Sequence, residues 1–275
     1  MTGRHEQTVL TTGANSGIGL ATVVHLAKLG FRSVGSVRSE AKAAQVAEAA
    51  ESAGTAVETV LLDVTDAERC AAVVDELRPW GIVNNAGYSG MGAIEDTTDD
   101  EARHQIETMV VAPIRLARLA LPHMRAAGGG RVVNISSIYG LTTTPFTGWY
   151  QACKHALEGA SDALRLEVAR DGIKVVLIEP GGFKTGIWDE LEEDLARHAG
   201  SSYEDGYGRS RTLLKMFMGF MGEPEAGARA IGKALTARSP RARYLVGRDA
   251  QAIAATQPLI PTGIRDRITR LVTGL

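Results

Sequence analysis

Residues 8–19 read Thr-Val-Leu-Thr-Thr-Gly-Ala-Asn-Ser-Gly-Ile-Gly, and an apolar-periodic segment follows, closing at Leu29-Gly30. A short β-prone run that breaks at Gly13 and takes up helical spacing at about Ile18 is a strand, a glycine turn and a helix. The turn, Thr12-Gly13-Ala14-Asn15-Ser16-Gly17-Ile18-Gly19, spaces its glycines differently from the commoner G-x-G-x-x-G but can serve the same end. Glycine lets a backbone approach a pyrophosphate closely, and the helix N-terminus beyond it offers free N–H groups and the positive end of a dipole. Glycine is also common in plain βα turns. Its density here, between a strand and a helix, favours the nucleotide reading.

Working outward, Phe31 to Arg38 reads as a second strand, with Ser39 as N-cap of an alanine-rich helix that runs to Gly54. The end of that strand should meet the adenosine ribose. An acidic residue there binds both ribose hydroxyls, whereas an arginine accommodates a 2'-phosphate. The strand ends in Arg38, and Glu40 falls beyond the cap where it complements the helix dipole, so NADP is expected. Ala56 to Leu62 is a third strand ending in Asp63-Val64. Asp63 stands where it could bond an adenine amino group or equally close a turn. Trp80 to Val83 leads into Asn84-Asn85-Ala86-Gly87, where paired asparagines can tie neighbouring strands together and small residues let a cofactor lie against the chain. A long helical region, about 99–127, contains Pro113, which should kink it. Arg131 to Ile135 and Lys174 to Ile178 are compact apolar strands of the kind covered on both faces, ending at Ser136-Ser137 and Glu179-Pro180-Gly181-Gly182. This alternation predicts an α/β fold, a doubly wound parallel sheet of Rossmann type in one domain. Gly13, Arg38, Asp63, Asn84, Ser137 and Gly181 would gather at one sheet edge.

Between the last two strands lies Ser137-Ile-Tyr-Gly-Leu-Thr-Thr-Thr-Pro-Phe-Thr-Gly-Trp-Tyr-Gln-Ala-Cys-Lys154. If Tyr150 opens a helix, Lys154 stands on the same face. A cation about 4 Å from the phenol is worth roughly 4 kcal/mol at an effective dielectric of about 20, enough to lower its pKa by about three units. Ser137 could hydrogen-bond the same substrate oxygen. Tyr-x-x-x-Lys also arises by chance in many helices, so its meaning depends on the rest of the chain. Proton transfer to a carbonyl or from an alcohol is the chemistry it predicts.

The 275 residues, 44% hydrophobic and 23% charged with a net charge of -2, make no electrostatic case for nucleic acid, and a small-molecule substrate is expected. Cys70 and Cys153 show no metal-type spacing and the six histidines are scattered, so no structural metal is predicted. No segment reads as a signal peptide or a stable membrane insertion, which predicts a cytoplasmic protein with reduced thiols. Residues 186–222 lose clear patterning and are read as a substrate loop or lid. The acidic run from Trp188 to His198 reads as a solvated helix face. Leu213 to Gly222, rich in Met and Phe and including Phe217, suits a lid over an apolar or bulky ketone or secondary alcohol, or equally a packed helix; Tyr139, Phe146 and Trp149 would be further walls. In the extension 249–275, Ile264, Ile268, Leu271, Val272 and Leu275 fall at helical spacing among Arg265, Arg267 and Arg270. Packing against the domain or a partner subunit is preferred there to a membrane surface.

The chain closely resembles the short-chain dehydrogenase/reductase family over roughly residues 7–190, through Thr12-Gly13-x-x-x-Gly17-Ile18-Gly19, Asn84-Asn85-Ala86-Gly87, Ser137, Tyr150-x-x-x-Lys154 and Pro180-Gly181. The resemblance implies Tyr150 as general acid or base, Ser137 positioning the substrate oxygen, and Lys154 both holding the nicotinamide ribose and lowering the phenol pKa. It implies a cofactor site of Gly13, Asn15, Ser16, Gly17, Ile18, Gly19, Arg38, Asp63, Val64, Asn85, Ala86, Gly87, Tyr150, Lys154, Pro180 and Gly181, with Thr185 at the carboxamide. An NADP(H)-dependent oxidoreductase, assembled as a homodimer or homotetramer, is the expectation. One position departs. The asparagine that completes the family's proton relay, and opens a helix to hold a water, aligns with Met109, whose thioether donates no hydrogen bond. A cofactor-binding regulator, or a non-redox dehydratase or epimerase, is the competing reading.

Overall fold

The central strand β1 (Thr8–Thr11) has parallel neighbours on both sides, β2 (Arg32–Val37) in register Leu10 to Val34 and β4 (Gly81–Asn84) in register Leu10 to Ile82. The computed structural model describes residues 4–183, 197, 198, 200–217, 219 and 221–275. Among these, β3 (Glu58–Leu61), β5 (Gly130–Ile135), β6 (Ile173–Pro180) and β7 (Arg243–Val246) complete a seven-stranded parallel sheet in the order β3-β2-β1-β4-β5-β6-β7. The order reverses between β1 and β4, so the crevice at their C-terminal ends is the natural ligand site of this topology.

Alternation along the buried strands sends successive side chains to opposite faces. Leu10, Ile82, Val132 and Val175 face one core with α3 (Ala67–Leu77) and α5 (Ala112–Ala126). Val9, Val83, Val133 and Val176 face the other with Leu26 of α1 (Gly17–Lys28) and Ile231 of α8 (Pro224–Thr236). The remaining helices are α2 (Glu40–Ser52), α4 (Asp99–Ile106), α6 (Gly148–Glu167), α7 (Glu204–Phe217), α9 (Arg248–Thr256) and α10 (Thr262–Thr273). Local chemistry sets several of their starts: Ser39 accepts the Lys42 amide, Asp66 the Arg69 amide, and Thr98 with Glu101 forms a capping box.

One expectation changes and one is met in part. The break in the 99–127 helix falls before Pro113, as a π-helical turn over Glu107–Val111 between α4 and α5. Pro113 has no N–H, so the Met109 carbonyl lacks its α-helical donor and the turn widens there. The apolar face of α10 packs onto its own domain only in part: the helix meets α7 and Ile268 and Val272 line the cavity described below, while Ile264, Ile268, Leu271, Val272 and Leu275 remain 55%, 53%, 73%, 48% and 48% exposed. Among the described residues no helix is long and apolar enough to cross a membrane.

Candidate active site

A cavity of about 1450 Å³ opens along the C-terminal edge of the sheet, from Arg38 at one end to α9 and α10 at the other. The turn after β1 forms part of its floor. Gly13 has φ +64° and lies so close to the Asn84–Gly87 segment that a Cβ would sit 3.0 Å from the Ala86 Cα. Asn85 holds this crossing, donating from Nδ2 to the carbonyls of Thr12 (3.0 Å) and Gly13 (3.1 Å), while the Thr12 hydroxyl accepts the Asn85 and Ala86 amides. Ser16 is the N-cap of α1 but makes no side-chain cap, so the first N–H groups of α1 keep no side-chain partner. These features fit an anionic dinucleotide: an uncapped helix end and a backbone cradle that a side chain would fill.

Of the residues predicted for the cofactor, Gly13, Asn15, Ser16, Gly17, Ile18, Arg38, Asp63, Val64, Asn85, Ala86, Gly87, Tyr150, Lys154, Pro180 and Gly181 line the cavity. Gly19 does not. It lies behind the turn, where a Cβ would overlap the Gly13 carbonyl and the Asn85 side chain, so it serves close packing. Thr185 and the acidic stretch 188–196 lie outside the described residues, as does the Phe217 side chain. Asp63 accepts the amide (2.9 Å) and hydroxyl (2.7 Å) of Thr65, and these bonds hold its carboxyl below the usual range. The turn reading of that aspartate is therefore realised, on the cavity wall.

Helix α6 carries Tyr150 in its first turn and Lys154 one turn on, and it is anchored from beneath. The Asn84 amide donates to Asn134 Oδ1 (2.7 Å), Asn134 Nδ2 to Ser161 Oγ (2.8 Å), and Ser161 to the Leu157 carbonyl (2.6 Å), which links β4, β5 and α6. Gln151 bonds Thr144 and Thr147 and so fixes the loop before Tyr150 to the same helix. Ser137, buried just beyond the end of β5, accepts the Tyr139 amide at 3.2 Å, and its hydroxyl works to lower the pKa of the Tyr150 phenol. The Tyr139 ring meets Tyr150 edge-on, at 6.3 Å between centroids.

The expected lowering of the phenol pKa by Lys154 is not found. Burial dominates and pushes Tyr150 up to about 12, with the Ser137 hydrogen bond pulling the other way. The reason is geometric: Lys154 Nζ donates to the Ile135 carbonyl at 2.8 Å and stands 5.4 Å from the centre of the tyrosine ring. Lys154 is only 6% exposed, and burial lowers it to about 8.

At the substrate end Tyr139, Leu213, Leu214 and Met221 line the cavity, but Phe146 and Trp149 do not. Phe146 is buried in a separate cluster with Met91 and Tyr207. Met109 also stays off the wall, packed against Gly87; its neighbour Thr108 lines the cavity instead, with a buried hydroxyl that has no protein partner. Gln105, Ser136 and Arg265 are further polar wall residues that the sequence did not single out. No motif spacing marks them, because they reach the cavity from elements whose packing alone sets their direction.

Residues 7–196 match the family model described as short chain dehydrogenase. The chain is 34% identical to the NADPH-dependent 3-dehydrocapnine reductase of Ornithobacterium rhinotracheale, across 94% of both chains. It is 32% identical to the 3-ketodihydrosphingosine reductase of Bacteroides thetaiotaomicron, across 90% of this chain and 91% of that one. A short-chain dehydrogenase from Streptomyces avermitilis shares the fold with a TM-score of 0.78 at 32% identity, across 96% of this chain and 95% of that one. With the parallel sheet, the glycine turn and the Ser137, Tyr150 and Lys154 side chains on one cavity, the chain belongs to the short-chain dehydrogenase family of oxidoreductases.

Proposed function

We propose that the protein is an NADP(H)-dependent ketoreductase that interconverts an apolar or bulky ketone and its secondary alcohol. The observation that carries this reading is that the Ser137 and Tyr150 hydroxyls stand on the same cavity, backed by the buried Lys154 ammonium. The nicotinamide cofactor, when bound, supplies or accepts the hydride. The uncapped start of α1 and the Gly13 backbone would take its pyrophosphate, and Asn85 to Gly87 would lie along it. Arg38, exposed on the cavity wall with no salt bridge among the described residues and coupled only through its charge to Asp63, would take a 2'-phosphate, with Lys42 on the same wall. Glu40, the acidic residue that would favour NAD, is off that wall. Ser137 holds the substrate oxygen and Tyr150 donates the proton; a phenol pushed to about 12 is kept in its acid form at neutral pH. One relative carries NADPH dependence in its name and two carry reductase, which favours the reductive direction. Leu213, Leu214 and Met221 supply the apolar wall. We read residues 1–275 as one cytoplasmic domain, with 186–222 as a substrate loop or lid and 249–275 as a C-terminal extension, assembled as a homodimer or homotetramer.

The test is NADPH oxidation followed by absorbance against a panel of linear, branched and aromatic ketones. Turnover is expected with NADPH in preference to NADH, and Tyr150→Phe should lose at least about 100-fold in kcat with NADPH binding retained. Tight NADPH binding without turnover of any ketone would instead support the cofactor-binding regulator.

A further inference from the structure

The described chain has six half-buried arginines: Arg115, Arg131, Arg165, Arg211, Arg243 and Arg265. Arg115 pairs with Glu107, Arg165 with Asp162, and Arg243 with Glu158 and Asp162, while Arg131 donates to two carbonyls. Arg211 also has an interaction partner. The Arg265 side chain, on α10, alone has no hydrogen-bond or salt-bridge partner among the described residues. A partly desolvated guanidinium without an acid is unfavourable unless something else neutralises it.

Arg265 stands where a ligand could do so. It lines the main cavity together with Thr269 and with Thr143, Thr144 and Pro145 of the loop before Tyr150. The same five residues line a side recess of about 450 Å³, closed by Asp266 and Arg270, so the recess opens onto the cavity that holds Tyr150. Its wall carries two cations against one acid, and three threonines. The part of the cavity wall that α9, α10 and the turn between them supply includes Ile253, Ile260, Ile268 and Val272, with Asp249, Thr256, Gln257 and Thr273 among them.

The structure assigns Arg265 as the residue that recognises an anionic group at the far end of an amphipathic substrate: a ketone on an apolar body that ends in a carboxylate or sulfonate. The planar fork of an arginine pairs with either oxyanion, and threonine hydroxyls can add donors. The ketone end of this ligand rests on the reductase reading; the anion end does not.

Binding separates the two. A homologous series of straight-chain oxo acids, their methyl esters and matched alkyl sulfonates is titrated calorimetrically into the full chain saturated with NADP. Acids of suitable length should bind about 10- to 100-fold tighter than their esters, the worth of one charge-assisted hydrogen bond pair. The sulfonate arm shows which oxyanion is preferred. Arg265→Gln should collapse the acid-to-ester ratio to near one, Arg265→Lys should keep part of it, and Arg267→Gln, an exposed neighbour off the cavity wall, should leave it intact. Thermal melts confirm that each variant is folded. If no acid or sulfonate outbinds its neutral counterpart at any length, or if a folded Arg265→Gln retains the preference, the assignment is overturned. Turnover of the same series, followed in parallel, tests the ketoreductase reading alone.

Discussion

At the scale of single residues, two ionisable groups share one pocket and burial drives them apart in pKa: Tyr150 rises to about 12 and Lys154 falls to about 8. Burial disfavours whichever form is charged, so the phenol stays protonated and the ammonium becomes easier to lose. If the cation supports proton delivery, the rate of ketone reduction should fall as pH rises through about 8, the value of Lys154 and not of the phenol. Met109 bears on the same step. The π-helical turn expected from an asparagine is present without one, because Pro113 removes the amide that would have bonded the Met109 carbonyl. What methionine cannot supply is a side-chain hydrogen-bond donor, while Thr108, one residue earlier, lines the cavity. Met109→Asn should raise kcat about two- to ten-fold or displace its alkaline limb. A kcat profile unchanged across the pH range would remove the case for a weakened relay.

At the scale of elements, the position of α6 decides whether Ser137, Tyr150 and Lys154 meet. The buried chain Asn84–Asn134–Ser161 ties that helix to β4 and β5, and the Gln151 bonds tie it to the loop ahead of Tyr150. Asn134→Ala would remove one acceptor from the Asn84 amide, which keeps the Pro113 carbonyl, and one donor from the Ser161 hydroxyl, which keeps the Leu157 carbonyl, at a cost of about 1–3 kcal/mol in all. Urea unfolding should show a lower midpoint, and kcat should fall while the thermodynamic affinity for NADPH, set mainly by β1, β2 and β4, changes little. An unchanged midpoint would mean that water replaces the asparagine without loss. Strand, turn and helix limits were legible to within a residue or two where a capping side chain or a glycine stops the element, as at Gly13 and Ser39. The π-turn was not, because a proline announces a lost donor without saying how the backbone accommodates it.

Across the whole molecule, Glu179 joins three elements at a buried point. It leaves β6 beside Arg243 of β7, with Nε 3.1 Å away, and Glu158 of α6 competes for the same guanidinium. Burial, and next the Glu158 charge, push the Glu179 carboxyl up to about 7. The sign follows: the folded state holds this proton more tightly than the unfolded chain, so stability is fully present below the ordinary value of 4.5 and declines as pH rises to about 7. Glu179→Gln mimics the protonated form. Its Tm should therefore fall less than that of the parent between about pH 5 and about pH 8, a difference of about 1–3 kcal/mol, whatever constant offset comes from losing the Arg243 contact. Parallel pH profiles for the two proteins would refute the shared-proton account. None of this network could be read from residue order, since Glu158, Asp162, Glu179 and Arg243 are brought together only by the β6–β7 pairing and the packing of α6. The fold was legible in the sequence, because turn glycines and strand alternation are local constraints written in consecutive residues, and the family-like motifs singled out Ser137, Tyr150 and Lys154, which the fold brings onto one cavity. The direction of the tyrosine shift, the replacement of Met109 by Thr108 on the cavity wall, the withdrawal of Phe146 and Trp149 from it and the unpaired Arg265 were decided by tertiary structure. Burial and side-chain direction depend on what packs from distant parts of the chain.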